Sequence, residues 1–252
     1  MTEPFNYTAG SGLNGQSGGT GWNGAWHEDD FANGAVPESI QAGNLSFSNL
    51  ITSGNHLRTA GQFSYDDRLS IGTFGASVPS QAWISFLIRR DAAGPVPGSD
   101  YGGLVLGDEH YPNSLFIGKP SGGDTTHYAL ENGDGSNQHP TTVSEQPGVT
   151  AFLVVHLVLI TGNEAVDLYV NPTPGSTPPL SPNASKNDLD LTQFSQFSIS
   201  TGTSANWSFD EIRVGSTFGD VAPATPEPAG IVLLAGLIPL FRRPLRRHHR
   251  RA

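Results

Sequence analysis

Apolar residues recur in short runs separated by turn residues. Within Gln81–Arg90, the apolar residues Ile84, Phe86 and Ile88 occupy every second position, which is the pattern of one face of a β-strand. Ala151–Ile160 is apolar at almost every position, as expected for a central strand covered on both faces. No segment before residue 222 shows the period of an amphipathic helix, so strands dominate the prediction.

The spacing of the other runs completes an all-β prediction. Further strands are predicted at residues 103–106, 114–118, 127–131, 165–170, 197–200 and 209–215. The chain has 252 residues, of which 31 are Gly and 19 are Pro, a composition that suits many short strands joined by turns. We therefore predict a two-sheet antiparallel jelly-roll sandwich, followed by a short C-terminal transmembrane helix.

The predicted organisation follows the changes in composition along the chain. A Gly-rich N-terminal segment packs on the sandwich, and the Pro-rich run 172–182 is a surface loop rather than a domain linker. The predicted units are the N-terminal segment (1–26), the jelly roll (27–222), a linker (223–228), the transmembrane helix (229–241) and an Arg-rich cytoplasmic tail (242–252).

Charge is divided unevenly along the chain. Residues 1–225 carry 7 basic and 22 acidic side chains, a net charge of −15, whereas the last eleven residues contain six Arg. An acidic body argues against a nucleic-acid partner, because binding to phosphates requires a basic surface.

The chain has no Cys, which excludes disulfides, thiolate nucleophiles and Cys-ligated metal sites.

The C-terminus contains an apolar run of thirteen residues, Ala229–Phe241, followed by the Arg cluster. A helix of that length spans roughly 20 Å, which is short against a bilayer core of about 30 Å. Arg side chains that extend to the interface lengthen its reach. The positive-inside rule places the Arg cluster in the cytoplasm and the body on the other side of the membrane.

Three features in order mark this terminus: Pro226-Glu227-Pro228, the short apolar segment, and the Arg cluster that begins with Arg242 and Arg243. Together they resemble the PEP-CTERM sorting signal. The resemblance implies that an exosortase, a membrane protease, recognises Pro226, Glu227 and Pro228, removes the tail and passes the protein to the cell envelope or extracellular matrix. It covers about the last 28 residues only.

This reading implies export, with a transient anchor in the inner membrane. Proteins sorted in this way also carry an N-terminal signal peptide, and the start of this sequence, MTEPFNYTAG, has neither a basic region nor an apolar one. We expect that the start codon was assigned too far downstream; removal of the signal from the sequence is the alternative.

Three stretches of the body resemble one fold family. They are SLFIGK at 114–119, the pair AFLVVHLVLI and VDLYVNP within 151–172, and FDEIRVGSTFGDVAP at 209–223. With NGQSGGTGW near the start, they are similar to the concanavalin A-like lectin/glucanase (LamG-like) jelly rolls. The resemblance implies that fold over most of residues 3–222, and it concerns strands and turns rather than catalytic groups.

Motifs for catalysis are weak. A G-x-G-x-x-G match at 10–15 and a G-x-S-x-G match at 15–19 lie in a Gly-rich run that cannot open the helix that either site needs. Laminarinase-type hydrolases of the family place clustered carboxylates on one strand, a pattern that this chain lacks. Asp210 and Glu211 are adjacent and are expected to point to opposite faces of their strand. We therefore predict that the protein is not an enzyme.

A calcium site is one candidate for metal binding. The run 131–137 offers carboxylate and amide oxygens within a tight turn, and Ca²⁺ takes six to eight oxygen ligands. The candidate ligands are Glu131, Asn132, Asp134 and Asn137. A solvated turn without metal is the alternative.

Polysaccharide is the predicted ligand of the jelly roll. Exposed aromatic rings stack on sugar faces, and the candidates for this contact are Trp22, Trp26, Tyr101 and Tyr111. The sequence thus predicts an exported envelope or matrix protein with a non-catalytic, polysaccharide-binding domain. A purely structural surface protein and a laminarinase-type glycoside hydrolase are the alternatives.

Overall fold

The structure is a computed structural model of the chain, and it describes residues 1–28, 38–61, 64–77, 80–92, 99–107, 113–191 and 193–226. The strands within these ranges are β1 (Thr2–Glu3), β2 (Trp22–Glu28), β3 (Ser39–Gln41), β4 (His56–Arg58), β5 (Ser64–Phe74), β6 (Ser80–Arg90), β7 (Gly102–Leu106), β8 (Leu115–Lys119), β9 (His127–Asn132), β10 (His139–Ser144), β11 (Ala151–Leu159), β12 (Ala165–Val170), β13 (Ala184–Lys186), β14 (Phe194–Thr201) and β15 (Trp207–Gly215).

The strands form two antiparallel sheets. Sheet I has the order β13-β12-β11-β6-β15-β4-β3, with β1 also paired to β15. Sheet II has the order β10-β9-β8-β7-β14-β5-β2. Many neighbours in each sheet are distant in sequence, so long connections cross between the sheets, as in a sandwich. The predicted two-sheet, all-β architecture is confirmed.

The main core lies between the two sheets. Ile84, Phe86 and Ile88 all face it and are fully buried, which confirms the alternation predicted for β6. Ile117 and Ile199 approach from sheet II and are equally buried. Burial of each such side chain contributes about 1.5–3 kcal/mol, so this layer is the main source of stability.

A second apolar cluster lies on the outer face of sheet I. The residues of β6 and β11 that point away from the main core, such as Trp83, Leu87 and Phe152, are covered there by other segments of the chain. One cover is the 42–55 loop, which contributes Leu45 and Leu50. The other is residues 216–226, which we call the C-terminal strap. This second layer explains why β11 is apolar on both faces.

The strap and the 42–55 loop are hydrogen-bonded to each other. The amide of Ile51 donates to the carbonyl of Pro223, and the amide of Thr225 donates to the carbonyl of Asn49, both at 2.9 Å. The strap also contains a four-residue helix, α1 (Phe218–Val221), with Thr217 as its N-cap. Within the described ranges, no helix has both the length and the apolar character needed to cross a bilayer. The span predicted at 229–241 and the Arg-rich tail lie outside the described residues.

The N-terminal segment is part of the sandwich rather than a cover on it. The boundary predicted after residue 26 falls inside β2, which forms one edge of sheet II. Trp26 is 1% exposed and stacks on Phe5, with ring centroids 5.9 Å apart. Trp22 is 8% exposed, and the guanidinium of Arg68 lies over both indole rings. The predicted sugar-stacking role of Trp22 and Trp26 is therefore wrong, because their rings are occupied within the core.

A β-bulge in β15 changes the predicted directions of two carboxylates. The register with β6 shifts between Asp210 and Arg213, and Glu211 has a φ of 52°. Asp210 accepts a hydrogen bond from the amide of Leu45 at 2.8 Å, and Glu211 accepts one from the amide of Ser53. Both carboxylates thus contact the same loop, contrary to the expectation of opposite faces, because a bulge breaks the strict alternation of a strand.

Candidate functional site

The Glu131–Asn137 run forms a compact turn in which the carboxylates of Glu131 and Asp134 have protein partners, whereas the buried Oδ1 atom of Asn132 has none among the described residues. The Asp134 carboxylate accepts hydrogen bonds from the amide and the hydroxyl of Ser136, at 3.0 and 2.6 Å. Glu131 is 4% exposed, and burial raises the pKa of its carboxyl, which accepts a hydrogen bond from Gln138 at 3.0 Å. Asn137 adopts a left-handed conformation, with a φ of 50°.

This turn lacks a ready set of metal ligands. Asn132 is 7% exposed. Across the described part of the chain, no group of three or more acidic or His side chains is placed to hold a metal ion. Calcium binding through Glu131, Asn132, Asp134 and Asn137 stays a prediction.

The remaining predicted site residues are dispersed. Tyr101 is half-buried and meets Phe116 edge-on, with centroids 6.3 Å apart, whereas Tyr111 lies outside the described residues. Pro226 is exposed and is the last described residue. The rest of the predicted sorting motif, Glu227, Pro228, Arg242 and Arg243, lies beyond it.

A pocket of about 450 Å³ opens on the outer face of sheet I, at a place that the sequence did not indicate. Its volume falls within the range of about 300–1,000 Å³ that is usual for small-ligand sites. Three segments of the chain surround it: the sheet, the Pro-rich loop and the strap. The lining residues are Gln81, Trp83, His156, Ser176, Thr177, Pro178, Ser216, Thr217, Phe218 and Gly219.

The floor of the pocket comes from two neighbouring strands. Trp83 of β6 lies directly opposite His156 of β11, and their rings stack with centroids 4.2 Å apart at 13°. Gln81 lies two residues before Trp83, so its side chain points to the same face. The Oε1 atom of Gln81 lies 3.2 Å from Nε2 of His156, which fixes the orientation of the imidazole.

The strap forms one wall. Asp220 accepts hydrogen bonds from the amides of Ser216 and Thr217, at 3.0 and 2.8 Å, and these bonds hold the turn that lines the pocket. Phe218 is 4% exposed and meets Trp83 edge-on, with centroids 5.5 Å apart. Gly215 permits this return of the chain, because a Cβ atom there would lie 2.3 Å from the Cβ of Asp220.

The Pro-rich loop forms the opposite wall and is fixed to the strap. The amide of Gly175 donates to the carbonyl of Ala222 at 2.8 Å. Gly175 has a φ of +74°, and a Cβ atom at this position would lie 2.6 Å from the Cβ of Ala224. The loop therefore approaches the strap closely, and it presents Ser176, Thr177 and Pro178 to the pocket.

The electrostatics of the pocket are set by burial and by hydrogen bonds. Burial lowers the pKa of His156 below its ordinary value, and the carboxylate of Asp167, which lies opposite it in β12, partly offsets that effect. His156 is therefore neutral at pH 7. Hydrogen bonds from Thr217 and Ser216 lower the pKa of Asp220, so this carboxylate is ionised.

The pocket combines apolar surface with neutral hydrogen-bonding groups. Pro178 supplies exposed apolar surface. Trp83 is 7% exposed, with its ring stacked on His156 and Tyr169, and Phe218 is 4% exposed, so these two rings form the buried base of the pocket. Hydroxyls, an amide and an imidazole supply donors and acceptors. No Asp, Glu, Lys or Arg is among its lining residues. This arrangement is equipped to bind a neutral polar molecule, and it lacks the pair of carboxylates that hydrolysis of a glycoside requires.

The sequence matches no family model and no curated protein. Among solved structures, the carbohydrate-binding module CBM66 from Bacillus subtilis is 13% identical, with a TM-score of 0.44 over 74% of this chain and 100% of its own. The cellulose-induced protein Cip1 is 13% identical, with a TM-score of 0.43 over 73% and 88%. The alginate lyase Aly36B is 10% identical, with a TM-score of 0.41 over 66% and 82%.

Proposed function

We propose that this protein is a non-catalytic polysaccharide-binding module of the concanavalin A-like jelly-roll type. It holds a glycan segment in the pocket built around Trp83 and His156. The observation that carries the proposal is the composition of that pocket, in which the half-buried His156 ring and the exposed Pro178 face hydroxyl and amide groups across about 450 Å³. A sugar has the complementary surface, because its ring offers apolar C–H groups and its rim offers hydroxyls.

A binding role is favoured over a catalytic one by the same lining. Glycoside hydrolysis needs two carboxyl groups on either side of the scissile bond. The pocket supplies none, and its one ionisable lining group, His156, has its imidazole stacked on Trp83. A purely structural surface protein remains the alternative, and it predicts no binding of any glycan.

Affinity electrophoresis and calorimetry against a panel of soluble polysaccharides test the proposal. The variant Gln81→Ala removes an exposed amide from the pocket floor, and a lost hydrogen bond of about 0.5–1.5 kcal/mol lowers the affinity roughly two- to twelvefold. Gln146→Ala is the matched control, because Gln146 is also exposed. Gln146 lies near Arg90, at the end of β6 opposite Gln81, and the strand between Gln81 and Arg90 spans about 30 Å. Equal affinities of the two variants, or no binding to any glycan, would contradict the pocket.

We also propose that the C-terminal segment is a PEP-CTERM sorting signal, and that an exosortase processes it after export to the envelope or matrix. The exposure of Thr225 and Pro226 supports this idea, because it leaves the start of the motif accessible. Thr225 is bonded to Asn49. Cleavage after the motif would therefore leave the contacts between the strap and the other described residues intact.

Mass spectrometry of the protein from an exosortase-positive host tests the sorting proposal, with a signal peptide placed at the N-terminus. We expect loss of the tail that follows the Pro-Glu-Pro motif. A variant with Glu227→Ala is the comparison, and we expect it to retain the tail. Export of the unchanged chain with all six C-terminal Arg residues would contradict the proposal.

A further inference from the structure

All the Lys and Arg side chains of the acidic body are engaged in ion pairs. The body has seven such residues, all of them within the described ranges, and each lies within 4.0 Å of a carboxylate oxygen. The pairs are Arg58–Asp91, Arg68–Glu3, Arg89–Asp91, Arg90–Asp100, Lys119–Asp100, Lys186–Asp188 and Arg213–Glu211.

Most of these pairs are also buried and cannot be redirected to a ligand. Arg90 and Lys119 share Asp100, and their side chains are 10% and 2% exposed. Withdrawal of one partner from such a pair leaves the other charge buried and unpaired, which is strongly destabilising. Arg58 and Arg89, which share Asp91, are the more exposed ones, and they lie at the end of sheet I away from Gln81. The pocket itself has no Lys or Arg in its lining with which to bind an anionic group.

Two carboxylates lie next to the pocket, those of Asp167 and Asp220, and the N-terminal ammonium of Met1 interacts with the second of them. Asp167 pairs in register with His156 of the floor, and Asp220 holds the strap residues Ser216 and Thr217 through its carboxylate. Neither carboxylate has a Lys or Arg partner among the ion pairs above. The net charge of −15 over residues 1–225 adds a longer-range negative potential.

These charges decide which sugars the pocket accepts. A neutral sugar hydroxyl is satisfied by Ser, Thr or Gln groups of the kind that line the pocket. A uronate carboxylate or a sulfate group needs a charged hydrogen-bond donor. Where no such donor is present, the desolvation of that anionic group beside two carboxylates is costly. The neutral side chains of the lining thus favour polysaccharides whose sugars carry no charged groups.

We infer that the pocket selects neutral polysaccharides and rejects those that carry uronate or sulfate groups. The inference rests on the proposed glycan binding and specifies its substrate class. It predicts an affinity for neutral chains that changes little from about 0.05 to 0.5 M NaCl, because no ion pair forms with the ligand.

Calorimetry of the unmodified protein against neutral glycans (β-glucan, dextran, xyloglucan) and acidic ones (alginate, polygalacturonate) tests the inference, with and without added calcium. We expect at least about tenfold tighter binding to one or more neutral glycans than to either acidic one. Equal or tighter binding to an acidic glycan, in either condition, would overturn the selectivity and leave glycan binding intact. Absence of binding to all of them would instead overturn the proposed function.

The variant Gln81→Lys sharpens the test by adding a cation to the pocket floor. We expect it to gain affinity for polygalacturonate by about tenfold, with a salt dependence that the parent protein lacks. Gln146→Lys adds the same charge at the distant end of β6 and is expected to gain much less. An equal gain in both variants would indicate a general charge effect and contradict the location of the site.

Discussion

The Glu131–Asn137 turn and the Trp83–His156 pocket contain similar numbers of polar groups, but they are built in opposite ways. The turn draws all of its groups from seven consecutive residues, and those groups bond mainly to one another, as Asp134 does to Ser136. The pocket draws its groups from β6, β11, the Pro-rich loop and the strap, which are spread over some 140 residues of sequence. Its groups face a common cavity, and Ser176, Ser216 and Thr217 also bond within their own segments.

The difference shows what a cluster in sequence can and cannot indicate. Polar residues close together in the chain can satisfy one another locally, which stabilises a turn and uses up the groups that a ligand would need. Groups brought together by the fold can face a common cavity while they keep partners within their own segments. In this protein the assembled pocket is the site that we propose for glycan, and calcium binding at the local turn stays a prediction.

The largest expected effect comes from removal of the wall that the strap provides. Phe218→Ala deletes a ring that is 4% exposed and packed on Trp83, so we expect a loss of about 3–5 kcal/mol in the free energy of unfolding. Leu180→Ala is the control, because Leu180 is fully exposed in the Pro-rich loop and should change stability little. Urea denaturation measures both. Equal stabilities would show that the strap does not pack on the sheet.

The pH dependence of stability tests the buried imidazole of His156. Burial lowers its pKa in the folded state below the value of about 6.5 in the unfolded chain. Between these two values the unfolded chain binds more protons, so stability rises with pH in that window and its contribution is complete above about pH 6.5. The charged group that faces His156 is Asp167, which opposes the shift.

The variant His156→Gln isolates that contribution from those of the other His residues. We expect urea denaturation from about pH 5 to 7.5 to show a smaller loss of stability on acidification in the variant than in the parent protein. Identical slopes in the two proteins would mean that His156 is solvated like an ordinary surface His, and the floor of the pocket would then be incorrectly described.

The smallest expected effect is at the turn. Asp134 is exposed and bonded to Ser136, so Asp134→Ala should lower the free energy of unfolding by about 1 kcal/mol or less. It should leave glycan affinity unchanged. The same variant tests the calcium prediction, because any rise in melting temperature that calcium causes in the parent should disappear in it. A calcium-dependent rise of equal size in both proteins would exclude Asp134 as a ligand.

The sequence was most informative where a side chain's direction follows from its position along one strand. The period of two in β6 correctly assigned Ile84, Phe86 and Ile88 to one buried face. The same period places Trp83 on the opposite face, but the partner of that face is the strap, more than 130 residues later. Pairing over such a distance is not encoded in local periodicity, so the pocket could not be located from the pattern alone.

Two local features were misjudged for related reasons. Trp22 and Trp26 lie in a Gly-rich run without a clear period, and their burial depends on Phe5, in the segment after β1, and on Arg68 of β5. The bulge at Glu211 adds one residue to β15 and reverses the expected direction of a carboxylate. A useful signal was present at His156, a polar residue in an otherwise apolar strand, which lies where that face of β11 is only partly covered.

Titration of the isotopically labelled protein with a neutral oligosaccharide, followed by NMR, tests the central claim most directly. The claim is that the assembled pocket, and not the local turn, binds glycan. We expect chemical-shift changes at the Trp83 indole and at the amides of Ser216 and Thr217, with the amides of residues 131–137 unmoved. Shifts centred on residues 131–137, or on sheet II with the pocket unchanged, would contradict it.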